Sequence, residues 1–359
     1  MKNIFNLPNP IFRPDSFNDK ERNISKFWLD KNENSHNDLN LFFKKNFLNN
    51  IPPRYIFSYP SLADTYSKIS NYLKLQKNQI LLTNGSDGGI KIIFESLVKK
   101  NDRVLIMSPT FEMYQVYCKL YQSKFKKINY FLDKDKFNVD LNKILKTLKD
   151  FKPKLFCFAY PDSPTGFSFK KKDVENILNF CNKNKIFVLI DEAYYFFSKQ
   201  TFVKKIKQFD NLAIVRSSGK AFALAGLRAG FIISNKKNIN YFKSYRQMYE
   251  INGIAAYMLN KIYTPNGIKK IKKSVKDLEL GKIFFLKELS KNPNIEFIDS
   301  DANFIHLKIL KKKDILLKKL EKICVFKKKQ NHPILRDYIR LTLTTKKNFS
   351  KILKVINKK

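Results

Sequence analysis

Lys220 differs from the other lysines of this lysine-rich chain in its surroundings. It lies in the stretch VRSSGKAFALAGLRAGF (215–231), where small and apolar residues separate it from its nearest charged neighbours, Arg216 and Arg228. Most other lysines occur in runs of charged residues. Partial desolvation favours the neutral, nucleophilic form of a lysine amine, which can form a Schiff base with a carbonyl compound. The stretch therefore indicates covalent chemistry at Lys220.

A second candidate site is the segment TNGSDGG (83–89), which follows an apolar run. Ser86 and Asp87 lie where a helix is expected to begin, and free backbone N–H groups at such a position favour a phosphate. An ordinary helix N-cap explains the same residues. Ser217 and Arg228 flank Lys220 and are also suited to a phosphate, which an arginine binds with its planar fork.

Two more segments place polar groups after apolar runs. In FVLIDEAYYFF (187–197), Asp191 ends a buried run, where a carboxylate is costly without a cationic or protonated partner. A helix cap or a structural ion pair accounts for it equally well. The segment YPDSPTG (160–166) has the composition of a turn, and it is either that alone or part of a site.

Strand-like and helix-like patterns alternate along the chain and would position these groups. The strand candidates are QILLT (79–83), RVLIMS (103–108), LFCFAYP (155–161), FVLID (187–191), LAIVRS (212–217) and AGFIIS (229–234). The helix candidates include DGGIKIIFESLVKK (87–100), DLNKILKTLKD (140–150) and KKDVENILNFCNKN (171–184). This alternation predicts an α/β domain with a mostly parallel sheet. Ligands of such sheets bind beyond the carboxyl ends of the strands, so the polar groups should converge on one crevice.

The pattern predicts three regions: an N-terminal arm (1–40), a large domain (41–245) and a small C-terminal domain (246–359). Residues 236–290 have mainly helical patterns, and the strand candidates NIEFID (294–299), ANFIHLKIL (302–310) and YIRLTLT (338–344) indicate an α+β fold for the small domain. The first 15 residues contain three prolines and no apolar core, so we expect no signal peptide. No apolar run approaches the ~18 residues of a membrane span. These features predict a cytoplasmic protein with no membrane association.

The formal net charge of +39 over 359 residues raises the question of a nucleic-acid partner. Lys, Asn, Ile and Phe are all abundant and all use A/T-rich codons, and the lysines rarely alternate with aromatic residues. We therefore interpret the charge as compositional and expect no nucleic-acid partner. The positive field still attracts phosphorylated or carboxylate substrates. The four cysteines and three histidines lack metal-ligand spacing, so we expect buried free thiols and no metal site.

A phosphate cradle, a strand-end aspartate and a secluded lysine are together what pyridoxal phosphate requires. The chain resembles the fold-type-I pyridoxal-phosphate aminotransferases and, within them, the histidinol-phosphate aminotransferase family. The motifs TNGSDGGI, PDSPTG, DEAY and GKAFALAGLRAGF occur in the family's order and at about its spacing. The resemblance extends from about residue 32 to about residue 345. It implies a large domain with a mostly parallel sheet and a smaller α+β domain.

The resemblance also implies a role for each candidate residue. Lys220 is the Schiff-base lysine, Asp191 pairs with the ring nitrogen, and Tyr194 hydrogen-bonds the ring oxygen O3′. Further cofactor contacts fall to Ser86, Asp87, Phe111, Ser163, Ser217 and Arg228, and to Tyr59, which reaches the site of the partner subunit in a homodimer. Arg340 and Lys327 bind the substrate's carboxylate or phosphate.

The implied reaction moves an amino group from a small phosphorylated or acidic amine, with histidinol phosphate first, to 2-oxoglutarate. Ser163 stands where the family usually has asparagine, Gly219 where it has serine, and Lys327 where it has arginine. These departures keep alternatives open: an aminotransferase for a sugar-pathway or phosphonate metabolite, or a phospho-amino-acid decarboxylase. A non-catalytic basic nucleic-acid-binding protein is a distant alternative, because Lys220 and Asp191 are both present.

Overall fold

The fold is that of a computed structural model, in which residues 11, 21–198 and 200–358 are described. Residues 1–10 and 12–20 of the predicted N-terminal arm, which include nearly all of the segment considered for a signal peptide, lie outside them. The strands are β1 (Phe27–Leu29), β2 (Ile80–Asn84), β3 (Arg103–Ser108), β4 (Lys124–Asn129), β5 (Phe131–Asp133), β6 (Lys136–Asn138), β7 (Leu155–Ala159), β8 (Phe187–Asp191), β9 (Leu212–Ser217), β10 (Ala229–Ser234), β11 (Ile295–Ile298), β12 (Phe304–Ile309), β13 (Cys324–Phe326) and β14 (Tyr338–Thr342). The α-helices are α1 (Asn37–Asn46), α2 (Arg54–Phe57), α3 (Ala63–Leu73), α4 (Gly85–Leu97), α5 (Glu112–Leu120), α6 (Leu141–Phe151), α7 (Lys171–Lys183), α8 (Lys236–Phe242), α9 (Gly253–Ile262), α10 (Pro265–Leu289), α11 (Lys313–Glu321) and α12 (Lys346–Asn357).

A seven-stranded sheet with the order β2-β10-β9-β8-β7-β3-β4 forms the centre of the molecule. Strand β10 is antiparallel to both of its neighbours, whereas the pairs from β9 to β4 are all parallel. The segment 218–228 that joins β9 to β10 contains no α-helix. Parallel neighbours need a crossover of a dozen or more residues, usually with a helix, so this short connection reverses the chain. The predicted α/β class with a mostly parallel sheet is confirmed.

Both faces of the sheet are buried, as parallel strands require. Leu105 and Met107 of β3 belong to one hydrophobic cluster, while Val104 and Ile106 belong to a second cluster on the opposite face. The first cluster continues into the C-terminal part of the chain. Successive strand residues point to opposite faces, so a run of consecutive apolar residues is needed to fill both clusters. This requirement explains why the strand candidates are apolar throughout.

The central strands predicted from apolar runs coincide with the observed ones to within two residues at each end. The sequence analysis missed β4, β1, β13 and the β5–β6 hairpin. Strand β4 (KFKKIN) lies at the sheet edge and is largely exposed. Lysines on an exposed edge strand prevent its pairing with other chains. Because they interrupt the apolar pattern, the strand was not predicted from apolar runs.

The C-terminal part contains a three-stranded antiparallel sheet with the order β11-β12-β14. Strand β1 pairs in parallel with β13, so residues 27–29 of the predicted arm have regular structure. The long helix α10 begins at Pro265, and the Thr264 side chain accepts a hydrogen bond from the Gly267 N–H at its N-cap. Proline at the first helical position and a threonine cap are common helix starts. The division into an arm, a large domain and a small domain stays a prediction.

The strand ends of the central sheet meet at one edge. Asn84 at the end of β2 pairs with Ala229 at the start of β10, and Ser217 at the end of β9 pairs with Gly230. Asp191 ends β8 beside them. All four cysteines are buried and unpaired. No described helix is both long and apolar enough to span a membrane.

Candidate active site

A cavity of about 750 Å³ opens at this edge of the sheet. The cavity is lined by residues from the strand ends and from the C-terminal part of the chain. Its walls include these predicted site residues: Lys220, Asp191, Tyr194, Ser86, Asp87, Phe111, Ser163, Ser217, Arg228, Lys327 and Arg340. Groups that are more than 250 positions apart in the sequence therefore face one space. Tyr59 alone among the predicted residues does not line it.

The neighbouring carboxylates of Asp191 and Glu192 have different surroundings. Glu192 is fully buried and forms an ion pair with Arg216 at 2.8 Å, and it also accepts hydrogen bonds from Thr201 and the Phe202 N–H. Asp191 instead lines the cavity. The structural ion pair considered for this segment thus belongs to Glu192, which leaves Asp191 available to a ligand.

Burial raises the pKa of Asp191 to about 6, although the Ala193 N–H and the Tyr114 hydroxyl each donate a hydrogen bond to it. These donors reach its two oxygens at 2.9 Å and 3.1 Å. A buried carboxylate with a raised pKa gains from a cationic or protonated partner. The protonated nitrogen of a pyridine ring is such a partner.

Lys220 and Tyr194 are close neighbours on the cavity wall. The Lys220 Nζ lies 5.5 Å from the centre of the Tyr194 ring and donates a hydrogen bond of 3.1 Å to the Lys31 carbonyl. Burial alone would raise the pKa of the Tyr194 phenol. The positive charges of Lys220 and Arg340, with hydrogen bonds from Asn32 and Ser163, outweigh burial and lower that pKa below its usual value.

The beginning of α4 forms a cradle for an anion. A Cβ atom on Gly230 would lie 2.6 Å from the Ser86 nitrogen, so only glycine allows β10 to pack this closely against the helix start. A Cβ atom on Gly85 would lie 3.2 Å from Arg228 Nη2, which places the guanidinium beside the same helix end. Free N–H groups, the helix dipole and an arginine together suit a phosphate. The side chain of Asp87 is turned aside, because Tyr117 donates to its Oδ1 at 2.9 Å.

Arg340 and Lys327 also line the cavity, and their backbones form an isolated antiparallel bridge. Arg340 Nη2 donates to the Asp30 carbonyl at 3.1 Å, while its buried Nε has no hydrogen-bond partner. Burial lowers the pKa of the Arg340 guanidinium. An unsatisfied buried donor on a cationic group gains strongly from an anion. Lys327 is exposed and adds a second positive charge.

Tyr59 is exposed and stacks on Tyr249, with ring centres 4.0 Å apart and ring planes 8° from parallel. Ile56, Phe57 and Met248 are exposed nearby in the sequence. The role assigned to Tyr59 requires a second copy of the chain, so it stays a prediction.

The sequence analysis missed several supporting residues. Tyr114 is fully buried and packs edge-on against Phe111 as well as donating to Asp191. Asp162 accepts hydrogen bonds from Thr110 Oγ1 at 2.5 Å and from Thr165 Oγ1 at 2.9 Å, and so it connects two loops of the cavity wall. Burial raises the pKa of Asp162 to about 7. The only sequence signal for Asp162 was its place in the turn-like YPDSPTG segment.

A buried histidine connects the C-terminal three-stranded sheet to the loop that carries Ser163. His306 on β12 donates from Nε2 to the Pro164 carbonyl at 2.6 Å, and its Nδ1 accepts from Gln330 Nε2 at 3.0 Å. Burial lowers the pKa of His306 to about 3, so the ring is neutral. This contact supports the loop that carries Ser163. A lone histidine in an apolar strand gave no sequence signal for it.

The sequence and the fold are similar to those of known proteins. A model of the family described as aminotransferase class I and II matches residues 29–356. The histidinol-phosphate aminotransferase of Buchnera aphidicola subsp. Diuraphis noxia is 30% identical over 332 residues, which cover 92% of this chain and 88% of that protein. The crystal structure of the histidinol-phosphate aminotransferase from Clostridium acetobutylicum has a TM-score of 0.77 at 23% identity and covers 92% of this chain and 97% of its own. That of the Sinorhizobium meliloti enzyme in complex with pyridoxal-5′-phosphate has a TM-score of 0.73 at 16% identity, covering 91% of this chain and 88% of its own.

The family match and the fold together define a fold-type-I pyridoxal-phosphate-dependent transferase. The chain belongs to the aminotransferase class I and II family, and it is a pyridoxal-phosphate-dependent aminotransferase. The resemblance to histidinol-phosphate aminotransferases, the enzyme class and the cofactor predicted from the sequence are thereby confirmed. Enzymatic identity also makes the distant alternative of a non-catalytic nucleic-acid-binding protein unnecessary.

Proposed function

We propose that the protein transfers an amino group from a small phosphorylated amine, with histidinol phosphate as the first candidate, to 2-oxoglutarate. The observation that carries this proposal is the position of Arg340, which lines the same cavity as Lys220 and has a buried Nε without a hydrogen-bond partner. A donor's phosphate and an acceptor's carboxylate are both anions that an arginine fork binds well. Arg340 is therefore proposed to hold both substrates in turn.

Lys220 and Asp191 each have a proposed role in the reaction. Pyridoxal phosphate supplies the electron sink that allows the carbon next to the amino group to lose its proton. Lys220 would hold the cofactor covalently and, once released, would take the proton from that carbon and deliver it to the cofactor carbon that had been bound to the lysine, acting first as a general base and then as a general acid. Asp191 keeps the ring nitrogen protonated, because an ionised carboxylate favours the proton on its neighbour.

The remaining cofactor contacts fix the ring in position. Tyr194 and Ser163 are proposed to hold the ring oxygen, and Phe111 to cover one ring face. The phosphate is proposed to bind at the start of α4, with the backbone of Ser86 and Asp87 and with Ser217 and Arg228. In a homodimer, Tyr59 is proposed to complete the phosphate site of the partner subunit, which requires two copies of the chain.

An aminotransferase acting on a different small anionic amine, such as a sugar-pathway or phosphonate metabolite, is the second candidate. Lys327 favours it, because a lysine ammonium is a point charge and does not bind a phosphate with fork geometry. Ser163 and Gly219 also depart from the usual pattern of the family. A phospho-amino-acid decarboxylase requires the same anion site but releases carbon dioxide in place of forming an oxo product.

A spectral half-reaction tests the proposal. The purified protein is loaded with pyridoxal phosphate, and borohydride reduction followed by peptide mapping should place the cofactor on Lys220. In a separate sample that has not been reduced, histidinol phosphate should remove the visible band and 2-oxoglutarate should restore it. Histidinol, which lacks only the phosphate, is the matched control and should react with a specificity constant roughly 10–100-fold lower.

Three results would contradict parts of this proposal. Equal reaction of histidinol and histidinol phosphate would mean that no donor phosphate binds at Arg340. No reaction of either, with a response to other anionic amines, would favour the second candidate. Release of carbon dioxide from a phosphorylated amino acid would indicate the decarboxylase.

A further inference from the structure

Three consecutive residues of the N-terminal region contact three groups of the active site. The Asp30 carbonyl accepts from Arg340 Nη2 at 3.1 Å, and the Lys31 carbonyl accepts from Lys220 Nζ at 3.1 Å. The Asn32 side chain donates from Nδ2 to the Tyr194 hydroxyl oxygen at 2.9 Å. Asn32 differs from the other two residues because it acts through its side chain, so its identity matters.

Asn32 is held firmly in place. Its backbone N–H donates to Thr342 Oγ1 at 3.0 Å, and its carbonyl accepts from Asn303 Nδ2 at 2.9 Å. The residue is 2% exposed and has a φ of 56°, a left-handed conformation in which asparagine and aspartate are several-fold enriched. The Thr342 hydroxyl faces Asn32 Oδ1 at 3.4 Å, which directs the NH₂ group to Tyr194.

The donor from Asn32 determines how the Tyr194 hydroxyl can be used. A phenol has one hydrogen to donate and lone pairs that accept. Because Asn32 donates to the oxygen, the phenol hydrogen is free to point elsewhere, and Tyr194 lines the cavity. A hydroxyl that accepts a hydrogen bond also becomes a better donor, since chains of hydrogen bonds polarise one another.

We propose that Asn32 is a positioning residue that acts through Tyr194 and directs the phenol hydrogen to the ring oxygen of the cofactor. The inference rests on the role proposed for Tyr194. Ser163, which replaces the longer asparagine usual in the family, is half-buried beside the same phenol.

The pH midpoint of the visible band of the cofactor-loaded protein measures this effect without turnover. Loss of the proton shared between the Lys220 nitrogen and the ring oxygen leaves the oxygen negatively charged, and a good donor stabilises that form. Weakening the donor should therefore raise the midpoint. Asn32→Gly keeps the left-handed backbone and its two backbone hydrogen bonds but removes the side chain, and it should raise the midpoint by about one pH unit.

The variant Tyr194→Phe should raise the midpoint at least as much. In the double variant, Asn32→Gly should add almost nothing to Tyr194→Phe, because the effect of Asn32 requires the phenol. Asn32→Asp tolerates the same backbone conformation and replaces the donor with an acceptor, so it should raise the midpoint more than Asn32→Gly. It also serves as the test variant if the glycine variant does not fold.

Asn34 provides a matched control. It is also buried, with Nδ2 donating to the Ala221 carbonyl at 2.8 Å and to Ser274 Oγ at 3.0 Å. Asn34→Gly should lower the unfolding temperature without shifting the midpoint. The inference would be overturned if Asn32→Gly left the pH midpoint of the band unchanged, or if it shifted the midpoint equally in the wild-type and Tyr194→Phe backgrounds. Either result would leave the proposed function intact. A wild-type protein without the band would overturn the proposed function itself.

Discussion

The two walls of the cavity are built differently. The sheet wall consists of the strand-end residues 84–87, 191–194 and 217–228, and the outer wall consists of residues 30–32 and 327–340. The sheet wall is fixed by buried contacts such as the Asp191–Tyr114 hydrogen bond. The outer wall has an exposed Lys327 and a half-buried Arg340 with an unpartnered nitrogen.

We propose that the residues of the sheet wall bind the cofactor and that the residues of the outer wall select the substrate. The sheet wall matches the family motifs except at Gly219, and the neighbouring Ser163 also departs from them. The motifs of this wall are the ones that indicated the cofactor, which the family match confirms. The outer wall carries Lys327 in place of arginine, and it comes from segments without secondary structure or from short strands. Surface loops of this kind change more easily than buried segments. We therefore expect the chemistry to depend on the sheet wall and the choice of substrate to depend on the outer wall.

The largest effect is expected on the sheet wall. Asp191→Asn should lower kcat by about 10³-fold, because an amide cannot carry the negative charge that keeps the ring nitrogen protonated. Steady-state kinetics with the best donor measures this loss, and the unfolding temperature should change little.

The neighbouring Glu192→Gln is the control for Asp191→Asn. It breaks the buried pair with Arg216 and should destabilise the protein by about 3–5 kcal/mol, while the folded fraction keeps its cofactor band. Nearly full activity of Asp191→Asn would contradict the role assigned to the sheet wall.

A second prediction concerns how the sheet wall is held together. The pKa of Asp162 is raised by burial to about 7, so the folded state binds its proton more tightly than the unfolded state does. Its contribution to stability is full below about pH 4 and is lost as the pH rises through about 7. Relative to the wild type, the unfolding free energy of Asp162→Asn should therefore rise by about 4 kcal/mol as the pH rises from about 4 to above 7.

Denaturant unfolding of the cofactor-free protein at several pH values measures this difference for Asp162. Asp191, with its pKa of about 6, should leave a residual pH dependence of the same sign in the variant. Asp150→Asn, on the exposed end of α6, should show no such change and is the control. If the difference in unfolding free energy between Asp162→Asn and the wild type did not change with pH, this carboxyl would not be buried as a shared acceptor of Thr110 and Thr165.

On the outer wall, Arg340→Lys keeps the charge but removes the fork. It should raise the KM of a phosphorylated donor by roughly 10–100-fold, with a smaller effect on kcat and no change in the cofactor band. Arg336→Lys, at an exposed position on the same segment, is the control and should change neither parameter. A loss of the cofactor band in Arg340→Lys would show that the two walls do not act separately.

The smallest effect is expected for Lys327→Arg, which introduces the residue usual in the family. It should lower the KM of histidinol phosphate by a few-fold if a phosphate binds there, because arginine adds a second hydrogen bond to the anion. Lys329→Arg, which is exposed nearby, should have no effect. A higher KM in Lys327→Arg would indicate that the natural donor is smaller or carries a different anion.

Much of the sheet wall could be predicted from the sequence. Apolar runs ending in Asp191 and Ser217 gave both the strands and the positions of the groups at their ends, because a buried strand ends where polar residues begin. The reversal of β10 was not predicted, since strand direction depends on the connection and not on composition. The lysine-rich edge strand β4 was missed because its side chains face water.

The outer wall was only partly predictable. The resemblance supplied Arg340 and Lys327, but no pattern indicated that Asn32, His306 and Gln330 contact the site. Their contacts join residues that are distant in the sequence, such as Asn32 with Tyr194 and His306 with Pro164. Local spacing has no information about such pairs.

The sequence by itself determined the α/β fold class and the residues at the strand ends, because hydrophobic periodicity and strand-end chemistry are local properties. The class of protein followed from the resemblance of its motifs to a known family, and the same motifs indicated the cofactor. The tertiary structure decided which carboxylate is structural: Glu192 pairs with Arg216, and Asp191 faces the cavity. It also decided that residues 30–32 contact Arg340, Lys220 and Tyr194. Such contacts arise from the packing of distant segments around a common core, and only the folded chain specifies them.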